Sequence, residues 1–208
     1  MSLRHARLPR SPRAAARLAA LLSTVAAGAA CGGKDPYAPV AQYPTIPTTS
    51  FTLFPLSRVV APGNSALDLR SPLPVRPEVY LSSTLGELVP NFDFAVDVDS
   101  AGHIVFLPPK LVTSTTYVPR TGFQISSTLY DSLRAAPGGT YQADSAFRVT
   151  TGQTVVVQAQ GVACPVASPF YAKVVIDSVS AATGAMYLRA YVDPNCGFKS
   201  FTSGIPTS

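Results

Sequence analysis

Phe92, Phe94, Val96 and Val98 alternate along the chain with Asp93, Ala95, Asp97 and Asp99. A period of two is that of a strand with one apolar and one polar face. Ser100-Ala101-Gly102 supplies a turn, Ile104-Val105-Phe106-Leu107 a returning strand and Pro108-Pro109 its end. The pattern predicts a β-hairpin with a short glycine-containing loop. The second half follows the same scheme. Phe147–Thr150 runs into a turn at Thr151-Gly152, and Thr154–Gln160 returns. Tyr171–Val179 and Met186–Val192 flank a turn at Ala182-Thr183-Gly184, closed by Asp193-Pro194-Asn195. Short strands at this spacing, with Gly and Pro between them, predict an all-β domain, an antiparallel sandwich or barrel, over residues 51–208.

Two stretches depart from the strand rhythm. Thr128 with Asp131 three residues later reads as a capping box, Leu129 and Leu133 share a face, and Pro137-Gly138-Gly139 ends the element. These signals predict one short helix of about two turns. Between residues 51 and 90, Pro55, Pro72, Pro74 and Pro77 interrupt the apolar runs. Proline is confined to strand edges and starts, so two short edge strands joined by extended loops are expected there.

Ahead of the domain the pattern changes twice. Residues 1–17 carry five arginines and no acid, and residues 18–30 are small and apolar. A basic segment, a short apolar segment and small residues at its exit make an export signal over residues 1–30. The apolar run of 13 residues is shorter than the roughly 18–20 that a spanning helix requires. It ends in Ala27-Gly28-Ala29-Ala30-Cys31, which resembles the lipobox of bacterial lipoproteins. The resemblance implies that Cys31 is acylated and becomes the mature N-terminus, attached to the membrane. Gly32 in place of Asp after the cysteine points to the outer membrane. Residues 31–50 then read as a Pro/Thr-rich tether, an extended spacer of on the order of 50 Å. In the alternative, part of this segment lies along the domain as an irregular edge strand.

Removing the signal alters the charge picture. The whole chain has 16 basic and 11 acidic residues. Five arginines leave with the signal, so the mature chain is balanced at 11 against 11. No mature segment concentrates Lys or Arg as a phosphate-backbone binder requires, which argues against nucleic acid as a partner. Three cysteines are present. With Cys31 acylated, Cys164 and Cys196 remain, on either side of the Tyr171–Val192 hairpin. An antiparallel hairpin brings its two ends together, and export supplies an oxidising compartment. A disulfide closing that loop is worth roughly 3.5–4 kcal/mol on the chain-entropy view.

Candidate chemistry is sparse. His103 is the one histidine beyond the signal, sits in a predicted turn, and has no Gly-x-Ser-x-Gly elsewhere in the chain to serve. Asp97-Val98-Asp99-Ser100-Ala101-Gly102 matches the opening of a calcium loop. Ala101 stands where a third oxygen ligand is needed and Pro108 where the bidentate Glu belongs. Asp97 and Asp99 thus remain candidates only for a looser cation site. Tyr187, Arg189 and Tyr191 alternate on one strand face and could stack a sugar or a planar ligand. The same stripe also fits arginine packed over tyrosines. No catalytic residues and no cofactor are expected.

The run Gly152–Gln158, a loop, and Tyr171–Val179 resembles the closing strands of HmuY-like lipoproteins, over about 40 residues. Those are exported all-β proteins, and members bind haem through a pair of histidines. His103 alone cannot supply two, so the resemblance implies the architecture and the lipoprotein class without haem ligands. The sequence favours a non-enzymatic, lipid-anchored envelope domain with an interaction or structural role, its partner an envelope protein, polymer or small ligand. A lipoprotein binding a hydrophobic, planar or glycan ligand through the Tyr187 face is the runner-up, and a hydrolase comes last.

Overall fold

The computed structural model describes residues 40–58, 63–115, 118–160, 164 and 168–206. The expected export signal and Cys31 lie outside the described residues. The fold is all-β. Its strands are β1 (Ile46–Leu53), β2 (Ala66–Asp68), β3 (Leu73–Val75), β4 (Val79–Leu81), β5 (Leu88–Pro90), β6 (Phe94–Val98), β7 (Ile104–Leu107), β8 (Thr121–Ile125), β9 (Phe147–Val149), β10 (Thr154–Ala159), β11 (Phe170–Val179) and β12 (Met186–Asp193). The first sheet has the order β1-β12-β11-β10-β8 and the second β3-β2-β6-β7-β9. Each sheet is antiparallel and open-edged, so the architecture is a sandwich and not a closed barrel. β4 and β5 form a separate two-stranded ribbon.

The core lies between the sheets. Phe94 and Phe106 of the second sheet meet Phe123 of the first, with ring centroids 4.7–6.0 Å apart. Val155, Val157, Val174, Ile176 and Leu188 complete it from the first sheet. Each fully buried side chain of this size contributes about 1.5–3 kcal/mol relative to exposure. The outer face of the first sheet is covered as well. Tyr130, Leu133, Tyr141 and Phe201 pack over Val156, Tyr171, Val175 and Tyr191. Burial on both faces explains why β10 reads as an unbroken Val155-Val156-Val157 run and not as an alternation. Gly122 permits this covering. A Cβ there would stand 2.7 Å from the Tyr141 Cβ and 3.3 Å from its backbone.

Two predicted hairpins form as expected, β6–β7 and β11–β12. The third does not. β9 pairs with β7, whereas β10 pairs with β8 and β11. Residues 150–153 therefore carry the chain across the end of the core, from one sheet to the other. Phe147 and Val149 face the core from one side, Val155 and Val157 from the other. Gly152, with φ +81°, makes the turn and donates its N–H to the Ile176 carbonyl at 2.8 Å.

The helix expected from Thr128 is a single turn, with the Ser132 and Leu133 N–H groups both donating to the Leu129 carbonyl. Its continuation is pre-empted. The Tyr130 and Leu133 carbonyls accept hydrogen bonds from the Lys173 ammonium at 2.7 and 3.0 Å. Ala136 then donates to the Lys199 carbonyl instead of continuing the turn.

The tether boundary also moves. β1 begins at Ile46, inside the segment read as a spacer, and pairs with β12 at the edge of the first sheet. Pro47 falls in the irregularity between Ile46 and Thr49, where a missing N–H costs no ladder bond. Residues 51–90 hold the end of the edge strand β1 and four further short strands in place of the expected edge pair, and β2 is interior, bonded to both β3 and β6.

Candidate functional site

At the end of the sandwich where β2 and β10 finish and β6 begins lies a solvent-open cleft of about 510 Å³, with Asp68, Arg70, Tyr80, Asn91, Asp93 and Gln160 in its lining. Its construction is local. The Asp68 carboxylate accepts the N–H groups of Arg70 and Ser71 at 3.0 and 3.3 Å, an Asx-type turn that ends β2. That turn places the Arg70 guanidinium 5.6 Å over the Phe170 ring. Asn91 holds the ribbon that carries Tyr80. Its side-chain oxygen accepts the Glu78 N–H and its amide donates to the Arg76 carbonyl.

Asp93 is the central group. It is only 8% exposed. Its backbone N–H donates to the Leu67 carbonyl at 2.9 Å, and its Oδ2 accepts the Leu69 N–H at 2.7 Å. Oδ1 has no hydrogen-bond partner among the described residues. Burial pushes the carboxyl up to about 7, the Leu69 hydrogen bond opposes this, Asp68 adds to it and Arg70 lowers it slightly. A carboxyl whose pKa is raised by burial and that opens on a cleft makes Asp93 the candidate group of this site. Its neighbours are an arginine, two amide side chains and a tyrosine 49% exposed. A smaller hollow of about 310 Å³, lined by Tyr43, Pro44, Ile46, Arg70 and Pro194, adjoins the same arginine.

The Tyr187 stripe is placed differently from the expectation. Tyr187 is 45% exposed, but Tyr191 is buried, its hydroxyl bonded to Thr45 Oγ1 at 2.8 Å and its ring edge-on to Phe201. Arg189 is bidentate to Asp177 at 2.8 and 3.0 Å, reaches Asp131 at 3.3 Å and lies 4.8 Å over the Tyr130 ring. The three therefore present no common open face. Beneath them Lys173, 4% exposed, sits 4.7 Å over the Tyr130 ring and 5.4 Å over Tyr191. Burial lowers its pKa, Arg134 and Arg189 add to the lowering, and Asp131 opposes it.

Asp97 and Asp99 lie at the far end of the second sheet from the cleft. Asp97 accepts the N–H and hydroxyl of Ser57 and its neighbour's N–H from Val98. Asp99 pairs with Arg148 at 2.9 Å and faces the His103 ring. The His103 and Ala101 N–H groups hold its carboxyl below the usual range. Both carboxylates are thus occupied by protein donors. Among the described residues no three of His, Cys, Asp and Glu gather closely enough to hold a metal ion. Cys164 and Cys196 form a disulfide, with Cα atoms 5.6 Å apart, at the same end of the sandwich as the cleft.

Alternation alone places Asp93 on a polar strand face and singles out neither Arg70 nor Tyr80. The available signal was Asp68-Leu69-Arg70-Ser71-Pro72, an Asx turn that folds back over the start of β6. No family model, curated protein or solved structure matches the chain.

Proposed function

We propose that this chain is a non-enzymatic, lipid-anchored β-domain of the bacterial cell envelope, of the outer membrane, that binds a ligand in the cleft between Arg70 and Asp93. The single observation carrying the binding role is the Asp93 carboxyl, nine-tenths buried yet opening on a cleft of about 510 Å³ with one oxygen unpartnered among the described residues. That volume falls within the roughly 300–1,000 Å³ of small-ligand sites. The anchor rests on the lipobox-like run ending at Cys31. The Cys164–Cys196 disulfide supports it, because such bonds persist in oxidising compartments.

Native mass spectrometry of the protein extracted from its own membrane tests both parts. The expected result is a chain starting at acylated Cys31, two hydrogens light for the disulfide, with an added mass that Asp93→Asn loses. A start elsewhere overturns the anchor. An acylated chain free of adduct overturns the ligand and favours a second reading, an interaction with an envelope protein. That reading has its own observation: the β4–β5 ribbon leaves Val79, Leu81 and Leu88 exposed. Its signature is a crosslink from position 81 to one defined envelope protein, abolished by Leu81→Asp.

A further inference from the structure

We infer that the cleft takes a neutral, hydroxyl-rich ligand of the saccharide class, held between Arg70 and Asp93 with one face of a sugar ring on Tyr80. The inference rests on the ligand-binding reading above and goes on to name the chemistry. Charge balance does the first selection. Asp68 and Arg70 oppose each other at the cleft wall, and Asp93 adds between zero and one negative charge. A phosphate or carboxylate ligand would meet Asp68 and Asp93. An ammonium ligand would meet the Arg70 guanidinium. Arg70 balances only one of the two acids, so an anion is disfavoured, and the choice between a cation and a neutral ligand falls to hydrogen-bonding capacity and shape.

Hydrogen-bonding capacity does the second. Asp93 Oδ1 requires a donor, while the guanidinium of Arg70 offers only donors and requires an acceptor. A hydroxyl group is both at once, so adjacent hydroxyls on one ring satisfy the pair together. Leu69 already donates to Oδ2 at 2.7 Å, which fixes the carboxylate plane and leaves Oδ1 to the ligand. Shape does the third. Tyr80 and Pro90 give the cleft apolar walls beside its polar floor, and Tyr80 carries an apolar face with a polar tip. A sugar ring, with C–H groups on its faces and hydroxyls on its rim, has the same distribution.

The test is protein-observed NMR on the 15N-labelled mature chain, with maltotriose and triacetylchitotriose as neutral probes and inorganic phosphate and ethanolamine as charged ones. The Leu69 amide reports on the cleft because it donates to Asp93. A sugar is expected to move the Leu69 and Tyr80 amides saturably. Asp93→Asn and Arg70→Gln should each weaken binding at least tenfold while the rest of the spectrum keeps its dispersion. Tyr80→Ala alters an exposed side chain and serves as the variant that leaves the fold intact; it too should weaken binding. Asp68, Arg70 and Tyr80 are the charged and titratable groups that line the cleft with Asp93, and the Leu69 N–H, Ser71, Asn91 and Gln160 add donors. Binding should tighten as pH rises through neutrality, since a hydroxyl donates better to carboxylate than to carboxylic acid, and Asp93→Asn should abolish that trend. If phosphate or ethanolamine moves these amides and neither sugar does, the saccharide class is overturned while the cleft remains a ligand site. If no probe moves them, and no adduct accompanies the protein from its membrane, both fall. Co-sedimentation with purified envelope polysaccharide, competed by the active trisaccharide, identifies a polymer source; binding of the trisaccharide alone identifies a free sugar.

Discussion

Replacing Asp93 with asparagine should stabilise the protein, and only above the acid range. The carboxyl is held at about 7 in the fold, against 3.8 for an ordinary aspartate. Between those values the folded protein keeps a proton that the unfolded chain has released. Stability therefore falls as pH rises from about 4 to about 7 and is then level. A gap of roughly three pH units, at about 1.4 kcal/mol each, makes the penalty ~4 kcal/mol at pH 8. Asparagine has no charge to desolvate, and its side-chain oxygen can still accept the Leu69 N–H now bonded to Oδ2. Urea unfolding of wild type and Asp93→Asn, with the disulfide intact, at pH 4.5 and pH 8.5 measures the effect. The variant should gain on the order of 2–4 kcal/mol at pH 8.5 and only about 1 kcal/mol at pH 4.5. Asp193, also raised by burial, is common to both proteins and cancels in the difference. A gain equal at both pH values, or a loss at pH 8.5, refutes the reasoning. A confirmed gain would mean that the protein carries a destabilising group at its cleft, the pattern expected where function and stability compete.

Other expectations concern the covering of the first sheet and the ends of the chain. Lys173→Met removes the donor from the Tyr130 and Leu133 carbonyls; a cost of roughly 2–4 kcal/mol is expected, with faster amide exchange across residues 129–136 than elsewhere, and uniform exchange would refute it. Cys164→Ser with Cys196→Ser opens a loop of sequence separation 32 and should cost about 3–4 kcal/mol in chemical unfolding. Asn195→Ala frees the Gln42 and Tyr43 N–H groups, which donate to its side-chain oxygen at 2.7 and 2.8 Å; both amides should lose exchange protection while β11 keeps its own. Tyr187→Ala should change stability by less than about 0.5 kcal/mol and leave the cleft's ligand affinity unaltered; lost binding would move the site to the Tyr187 face.

Much of the sandwich was legible because its signals are short-range. The alternation through Phe94 and Val96, and the Gly102 and Gly184 turns, name the β6–β7 and β11–β12 hairpins directly. Periodicity carries no record of which sheet a strand joins, so Phe147–Val149 and Thr154–Ala159 looked like a hairpin although a turn of the same length crosses the core. Thr128–Leu133 has genuine helix signals, but a lysine 40 residues away in sequence takes the carbonyls the helix would use. The site was the least legible part. Asp93 occupies a polar phase of the alternation that leads into β6, and the Asp68–Ser71 turn brings the Leu69 N–H onto its carboxylate. That contact is a tertiary event, whereas Tyr187 and Arg189 stood out because alternation alone displays them.

Arg70 borders both the cleft and the hollow formed by Tyr43, Pro44, Ile46 and Pro194, and this adjacency has a mechanical consequence. The chain enters the sandwich at residues 42–45, clamped by Asn195 and by Thr45 bonds to Thr202 and Gly204. A ligand fixed in the cleft and a pull applied from residue 40 would load the same end of the molecule. The Asn195 clamp, the Arg70 turn and the Cys164–Cys196 bridge all lie at that end. The β6–β7 and β11–β12 ladders turn at the opposite end, so the clamp at Asn195, and not those turns, stands between such a pull and the sandwich.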